Sequence, residues 1–125
     1  MNEAVAHLAA HGVAHRDIKP DQWLLRAPGA AAGDDEAHLL LSDFGKALAL
    51  APRADDDGAG GDGGSFETRV PLSRARAADV GAPFFQPPEV KAALARDAPD
   101  GEVDFARADE FAVGLCLHLC LSTLG

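Results

Sequence analysis

The sequence predicts an α+β fold that is mainly helical and contains one short β-hairpin. Apolar residues recur at helical spacing over residues 2–12 and again over residues 104–123. Between these segments, short apolar runs at 22–26 and 38–41 flank a stretch of small and turn-forming residues. This pattern is typical of two strands joined by a long hairpin loop. The 125 residues fit one domain or part of one.

Taken in chain order, each element has local signals. Asn2 can cap the first helix, and Gly12 lies where a left-handed residue ends one. Pro88 suits the first turn of a short helix over 88–96. Residues 111–121 are apolar almost all round, so we expect the last helix to be buried on most sides.

The long central segment has a different composition. Residues 55–64 read DDDGAGGDGG, which offers little side chain to bury and much backbone entropy to lose. We therefore expect a disordered insertion over about 51–80.

Composition narrows the partners and the compartment. The formal net charge of −9 argues against non-specific binding to nucleic acid or to an anionic membrane. Cys116 and Cys120 form no disulfide framework, which favours a reducing, intracellular location, namely the cytoplasm. No secretory signal is visible, and the apolar run Phe111–Leu121 is too short to span a bilayer.

A loop after the first helix has the residue types that phosphoryl transfer needs. That chemistry requires a carboxylate to orient the attacking hydroxyl and positive charge near the moving phosphoryl group. Asp17 and Lys19 are two residues apart, and Pro20 stops the helix from continuing through them. This spacing could direct both groups into one pocket.

Four motifs follow one another: HRDIKPDQ at 15–22, DFG at 43–45, PPE at 87–89 and DEFAVG at 109–114. In that order they resemble the catalytic and activation core of protein kinases, with the lysine of the serine/threonine type. The resemblance implies a partial kinase domain over 1–125, namely a C-lobe without an N-lobe. It also implies ATP and Mg²⁺ as cofactors and a protein Ser/Thr hydroxyl as the substrate.

The resemblance assigns roles within the first motif, the catalytic loop. Asp17 would be the catalytic aspartate, and Lys19 would contact the transferred phosphate of ATP. Arg16 would pair with a phosphorylated activation loop, and His15 would pack under Phe44.

Other roles concern the metal and the nucleotide. Asp43 would ligate Mg²⁺, and Gly45 would give the following turn its freedom. Gln22 stands where the family has the asparagine that holds a second Mg²⁺, so affinity for that metal is in question. Leu24 would lie beneath the adenine, although simple core packing explains it equally well.

The activation segment would run over 43–89. Glu89 matches a glutamate whose arginine partner would lie beyond Gly125. Ala82 replaces a threonine that bonds the catalytic aspartate and lysine, which removes one hydroxyl from the site. Asp109 would accept hydrogen bonds from the catalytic-loop backbone, and the alternative is a surface residue that complements the helix dipole.

Ser65, Thr68 and Ser73 are candidate phosphorylation sites in the insertion, because a phosphate there could bind Arg16 and order the loop. Incidental hydroxyls in a linker are an equally good interpretation. Cys116, His118 and Cys120 could suggest a metal site, but core packing is favoured because His118 faces away from the cysteines on a helix.

Two features argue for little activity in this chain alone. The sequence has no glycine-rich phosphate loop, and the family's N-lobe lysine and its partner glutamate have no counterpart. Three functions therefore stay open: a serine/threonine kinase of which this is a piece, a pseudokinase or scaffold, and an unrelated acidic interaction module. A bare apolar final helix would favour association with a partner.

Overall fold

The computed structural model describes residues 1–29, 35–54, 65–72, 81–96 and 101–124 of the chain. Within them, helices α1, α2 and α3 span Asn2–Ala10, Pro88–Ala95 and Phe105–Thr123. Strands β1 to β6 span Val13–Ala14, Trp23–Arg26, His38–Leu41, Leu48–Ala49, Arg69–Pro71 and Glu102–Asp104. They form three antiparallel pairs, β1 with β4, β2 with β3, and β5 with β6. The predicted mixture of helices and a short β-hairpin is thus confirmed.

The first helix ends as expected but begins differently. Gly12 follows it with φ of +69°, and its N–H donates to the carbonyl of Ala9. A side chain at Gly12 would overlap the ring of Phe66. The predicted Asn2 cap is wrong, because Met1 occupies the cap position and Asn2 is the first helical residue.

The predicted hairpin forms with four paired positions, from Trp23 opposite Leu41 to Arg26 opposite His38. Its middle pairs are Leu24 with Leu40 and Leu25 with Leu39. These four leucines are exposed, with between 41% and 70% of their surface in contact with solvent. The hairpin therefore adds little to the core of the described chain.

Within the insertion expected to be disordered over about 51–80, residues 51–54 and 65–72 are described and form local structure. Strand β5 pairs with β6, and a single bridge joins Pro52 to Phe66. The physical reason is that the segment after the glycine-rich stretch is apolar enough to bury Val70 and Leu72 in the core. Residues 55–64 and 73–80 lie outside the described residues.

Helix α3 organises the core, but only along one face. Its buried residues are Phe105, Asp109, Ala112, Val113 and Cys116. Phe111, Leu117 and Leu121 on the same helix are exposed. The described elements pack against one face only, so they leave bare the apolar remainder that was expected to be buried by other elements or to favour association.

Two apolar clusters hold the elements together. One joins strands β1, β5 and β6 to α2 and includes Val90 and Phe105. The other joins α1 to α3 and includes Val5, Ile18 and Cys116. In the part of the chain that the structure describes, no helix combines the length and apolarity that a membrane crossing requires.

Candidate active site

A carboxylate from α3 anchors the loop at 15–22. The backbone N–H of His15 donates to Oδ2 of Asp109 over 2.6 Å, and that of Arg16 donates to Oδ1 over 2.8 Å. Arg16 has φ of +68°, a left-handed conformation that a non-glycine residue adopts only when its surroundings stabilise it. Burial raises the pKa of Asp109 to about 6, while the two backbone N–H groups and the charges of His15 and Arg16 act in the opposite direction.

The loop is also tied to the segment at 42–46. Nε2 of His15 lies 2.9 Å from the carbonyl oxygen of Ser42, and the His15 ring meets Phe44 edge-on with centroids 4.9 Å apart. His15 is fully buried, whereas Phe44 is 47% exposed. The predicted contact between His15 and Phe44 is therefore present, with Phe44 covering the histidine from the solvent side.

Asp17 is held at both carboxylate oxygens. Oδ1 accepts a hydrogen bond from the backbone N–H of Ala82 over 3.0 Å. Oδ2 lies 3.6 Å from Nζ of Lys19 and 3.4 Å from Nζ of Lys46. The Asp17 side chain is 7% exposed, so these contacts fix a carboxylate that water scarcely reaches. Asp17 and Lys19 thus share one site, as their spacing predicted.

Asp43 is the second carboxylate of the site. Its Oδ1 accepts from the Gly45 N–H over 3.3 Å, and its Oδ2 accepts from Nε2 of Gln22 over 3.0 Å. The Gly45 hydrogen bond and then that from Gln22 hold the pKa of Asp43 below its ordinary value. Asp43 is therefore ionised at neutral pH and exposed to solvent.

The turn at 43–45 corrects one sequence-based assignment. The left-handed residue is Asp43, with φ of +62°, and Gly45 is not among the residues with positive φ. Gly45 instead lies in a short 3₁₀ turn over Phe44–Lys46, where its N–H donates to the carboxylate of Asp43, the residue that caps the turn. The strained left-handed backbone of this turn thus lies at Asp43, and the hydrogen bond that the Asp43 side chain accepts from Gly45 helps to stabilise it.

The residues fit Mg²⁺ at Asp43 better than at Gln22. An exposed, ionised carboxylate that shares a Mg²⁺ ion with phosphate oxygens is a common arrangement in nucleotide enzymes. Gln22 is 6% exposed and turns its amide nitrogen toward Asp43, because its carbonyl oxygen would be repelled there. Gln22 can therefore offer that oxygen to a metal only by turning its amide over. Among the described residues, no cluster of three or more His, Cys, Asp or Glu side chains could hold a metal alone.

Arg16 packs against Lys46 and helix α3. Its Nε donates to the carbonyl of Lys46 over 2.6 Å, and its guanidinium lies 5.6 Å from the ring centroid of Phe105. Gly81 passes so close that a Cβ there would overlap the Arg16 carbonyl oxygen. The Gly81 carbonyl in turn accepts from Nε2 of Gln86 over 3.0 Å.

The other predicted residues lie away from this cluster. Leu24 is 54% exposed on β2, so core packing does not explain it in this chain. Glu89 is an exposed residue in the first turn of α2. Ser65 is exposed and Thr68 is half-buried, while Ser73 lies outside the described residues.

The cysteines and histidine of α3 do not form a common metal site. Cys116 is buried in the core, but His118 and Cys120 are exposed, so core packing holds for one of the three. Burial raises the pKa of the Cys116 thiol, which keeps it protonated.

Sequence reasoning missed Lys46. This residue directly follows the DFG motif, and that position was the signal available. Its backbone carbonyl contacts Arg16 and its side chain contacts Asp17, so it joins the two motifs twice.

Known proteins match the chain along most of its length. It is 32% identical over 112 residues to the mitochondrial serine/threonine-protein kinase PINK1 of Mus musculus, which covers 90% of this chain and 16% of that protein. It is 35% identical over 120 residues to CBL-interacting protein kinase 4 of Oryza sativa subsp. japonica, which covers 96% of this chain and 19% of that protein. A calcium/calmodulin-dependent protein kinase, cmkB of Emericella nidulans, is 50% identical over 42 residues, 34% of this chain and 9% of that protein.

These matches confirm the resemblance to serine/threonine protein kinases. No protein-family model matches the chain. The chain spans less than a fifth of the length of these relatives.

Proposed function

We propose that this chain is the catalytic-loop part of a serine/threonine protein kinase domain, which transfers the terminal phosphoryl group of ATP to a protein hydroxyl. The observation that carries the proposal is the convergence of three groups. Asp17 and Lys19 lie side by side in one motif, and Asp43 of the second motif lies close enough for the Lys19 charge to lower its pKa. The two motifs are joined by the Lys46–Asp17 and Gln22–Asp43 contacts, and Asp109 holds the first motif through its backbone. The resemblance to kinases over nine-tenths of the chain supports the same function.

Each group has a task that its surroundings suit. The Asp17 carboxylate, whose orientation Ala82 fixes, would accept a hydrogen bond from the attacking hydroxyl. Lys19 beside it supplies positive charge to the phosphoryl oxygens. Asp43 would hold Mg²⁺, which when bound neutralises the phosphates of ATP.

The chain by itself should have little activity. Phosphoryl transfer depends mainly on positioning and electrostatics, and no glycine-rich loop is present in the 125 residues to cover ATP from above. The proposed setting is a reducing cytoplasm, because two cysteines at i,i+4 in the sequence make no disulfide framework.

Metal binding tests the proposal directly in the chain as it exists. Titration with Mn²⁺ in the presence of ATP, followed by the paramagnetic broadening of NMR signals, should place the ion beside Asp43. Asp43→Asn should weaken Mn²⁺ binding about tenfold or more, because the ion loses its anionic ligand. Asp21→Asn, an exposed aspartate in the neighbouring turn, is the matched control and should change nothing. Equal binding by both variants would contradict the proposal.

A non-catalytic pseudokinase or scaffold is the second candidate. Two observations favour it. The Gln22 amide nitrogen donates a hydrogen bond to an Asp43 oxygen that a metal would need, and Ala82 has no hydroxyl to contribute to the site. Gln22→Asn separates the two functions, because the shorter side chain should withdraw from Asp43 and raise Mn²⁺ affinity if the site is built for metal. Unchanged affinity, together with no transfer of labelled phosphate from ATP to a Ser/Thr peptide library, would favour the scaffold.

A further inference from the structure

We propose that Lys46 is a positioning residue that holds the Asp17 carboxylate in place from the side opposite Ala82. The catalytic role of Asp17 rests on the proposed function, whereas the contacts that Asp17 makes are observed in the structure and do not depend on that function. Lys46 lies in the 3₁₀ turn that follows Asp43, and its Nζ reaches Oδ2 of Asp17 at 3.4 Å.

The two oxygens of Asp17 are restrained by unlike groups. Oδ1 has a backbone donor, the N–H of Ala82, whose position is set by the chain. Oδ2 is contacted by the ammonium groups of Lys46, at 3.4 Å, and of Lys19, at 3.6 Å. Their charge attracts this oxygen, so one amide and two cations together restrain the carboxylate.

Lys46 is the better anchored of the two cations. Its backbone carbonyl accepts from Nε of Arg16 over 2.6 Å, which fixes the base of the side chain to the residue before Asp17. The Lys46 side chain is 37% exposed and that of Lys19 is 29% exposed, so it is this backbone contact, and not burial, that distinguishes Lys46. Movement of the turn after Asp43 is thereby transmitted to Asp17 through both contacts.

This arrangement couples the metal-binding turn to the catalytic loop. The turn carries Asp43 at its start and Lys46 at its end. If Lys46 holds Asp17, removing the Lys46 charge should weaken the hydrogen bond from the Ala82 N–H to Oδ1 of Asp17. The contact with Arg16 should remain, because it uses the Lys46 backbone carbonyl.

Amide hydrogen exchange of the full chain, measured by NMR without nucleotide, tests this. Lys46→Met should raise the exchange rate of the Ala82 amide about 1.5-fold to fivefold, a range set by the modest free energy of a partly exposed ion pair. Lys46→Arg should restore the slow rate. Lys91→Met, at an exposed lysine of α2, is the matched control and should have no effect.

The His15 and Arg16 amides, which donate to Asp109, report the general stability of the loop. They should exchange at unchanged rates in Lys46→Met. An unchanged Ala82 rate, or a rise shared equally with His15 and Arg16, would overturn the proposal. Lys46→Gln gives the same comparison should the methionine variant fold poorly.

The same proposal predicts a salt effect in the unsubstituted protein. Raising the ionic strength from about 0.1 M to about 1 M shortens the screening length from about 10 Å to about 3 Å. The Ala82 amide should then exchange faster, and insensitivity to salt would count against an electrostatic role. Because no phosphoryl transfer is measured, these outcomes are independent of whether the chain is a kinase.

Discussion

At the scale of single residues, Asp109 shows how one buried side chain can support a site that is remote in sequence. Its carboxylate contacts the His15 N–H, which lies 94 positions away, and that of Arg16. Charge-assisted hydrogen bonds of this length are among the stronger ones in proteins. They allow Arg16 to keep its left-handed backbone, which turns the chain toward Asp17.

Asp109 should make stability depend on pH. Burial raises the pKa of folded Asp109 to about 6 from an ordinary 3.8, so the folded protein holds this proton more tightly than the unfolded chain does. The contribution of this proton to the free energy of unfolding is on the order of 3 kcal/mol. It is complete below about pH 4 and is lost as the pH rises through about 6. The asparagine in Asp109→Asn does not titrate. The difference in urea-unfolding free energy between the wild type and this variant should therefore become smaller as the pH rises over that range.

Glu110→Gln, the exposed neighbour, is the matched control. Its difference from the wild type should stay near zero at every pH. A deficit for Asp109→Asn that is constant from about pH 4 to about pH 7 would contradict the assignment of this proton to Asp109.

Gly81 and Gly114 should respond to alanine in opposite ways. At Gly81, φ is +23° and a Cβ would overlap the Arg16 carbonyl, so Gly81→Ala should lower the unfolding free energy by about 1–3 kcal/mol.

At Gly114, in the middle of α3, nothing lies within 4 Å of an added Cβ. Gly114→Ala should therefore raise the unfolding free energy by up to about 1 kcal/mol. Urea denaturation checks both, and destabilisation by Gly114→Ala would show that this face of α3 is covered.

At the scale of elements, the pairing of β5 with β6 connects the long insertion to the start of α3. The pair aligns Val70 with Val103, and both are buried. Two further backbone bonds extend it, from Leu72 to Gly101 and from Phe105 to Thr68. The insertion is thus fastened close to the helix that carries Asp109.

Val70→Thr tests this attachment, because threonine keeps the shape but buries a hydroxyl. It should lower the unfolding free energy by about 1–3 kcal/mol and speed the amide exchange of Leu72 and Phe105. Arg69→Thr, at the exposed neighbouring position on the same strand, should have little effect. Equal exchange rates in the two variants would mean that Val70 is not what holds the strand.

At the scale of the whole molecule, apolar surface is left uncovered on two elements. The outward leucines of the β2–β3 hairpin are one part, and Leu117 and Leu121 on α3, with Leu124 just after it, are the other. Exposed apolar surface of this kind favours association, while the net charge of −9 opposes it.

We expect the chain to self-associate at high concentration and more strongly at high salt, which screens the charge. Leu121→Glu should reduce association, because Leu121 is 69% exposed and apolar. Ser122→Glu adds the same charge one residue away and should reduce it less. Sedimentation velocity over a range of concentrations measures this, and a monomer at all concentrations would contradict it.

The sequence by itself determined the helices, the hairpin and the order of the motifs. These features depend on local periodicity, turn residues and short strings, such as the apolar spacing of 104–123 and the octet at 15–22. The proximity of Asp17 and Lys19 followed from their spacing in the same loop.

Only the tertiary structure decided which distant residues meet. The Lys46 ammonium at Asp17, the β5–β6 pair within an expected disordered segment and the exposed face of α3 all depend on contacts between residues far apart in the chain. The left-handed Asp43, which replaced the expected freedom of Gly45, depends on the Gln22 and Gly45 donors around its carboxylate. Local patterns do not encode such contacts, because burial and pairing are decided by what the rest of the chain places nearby.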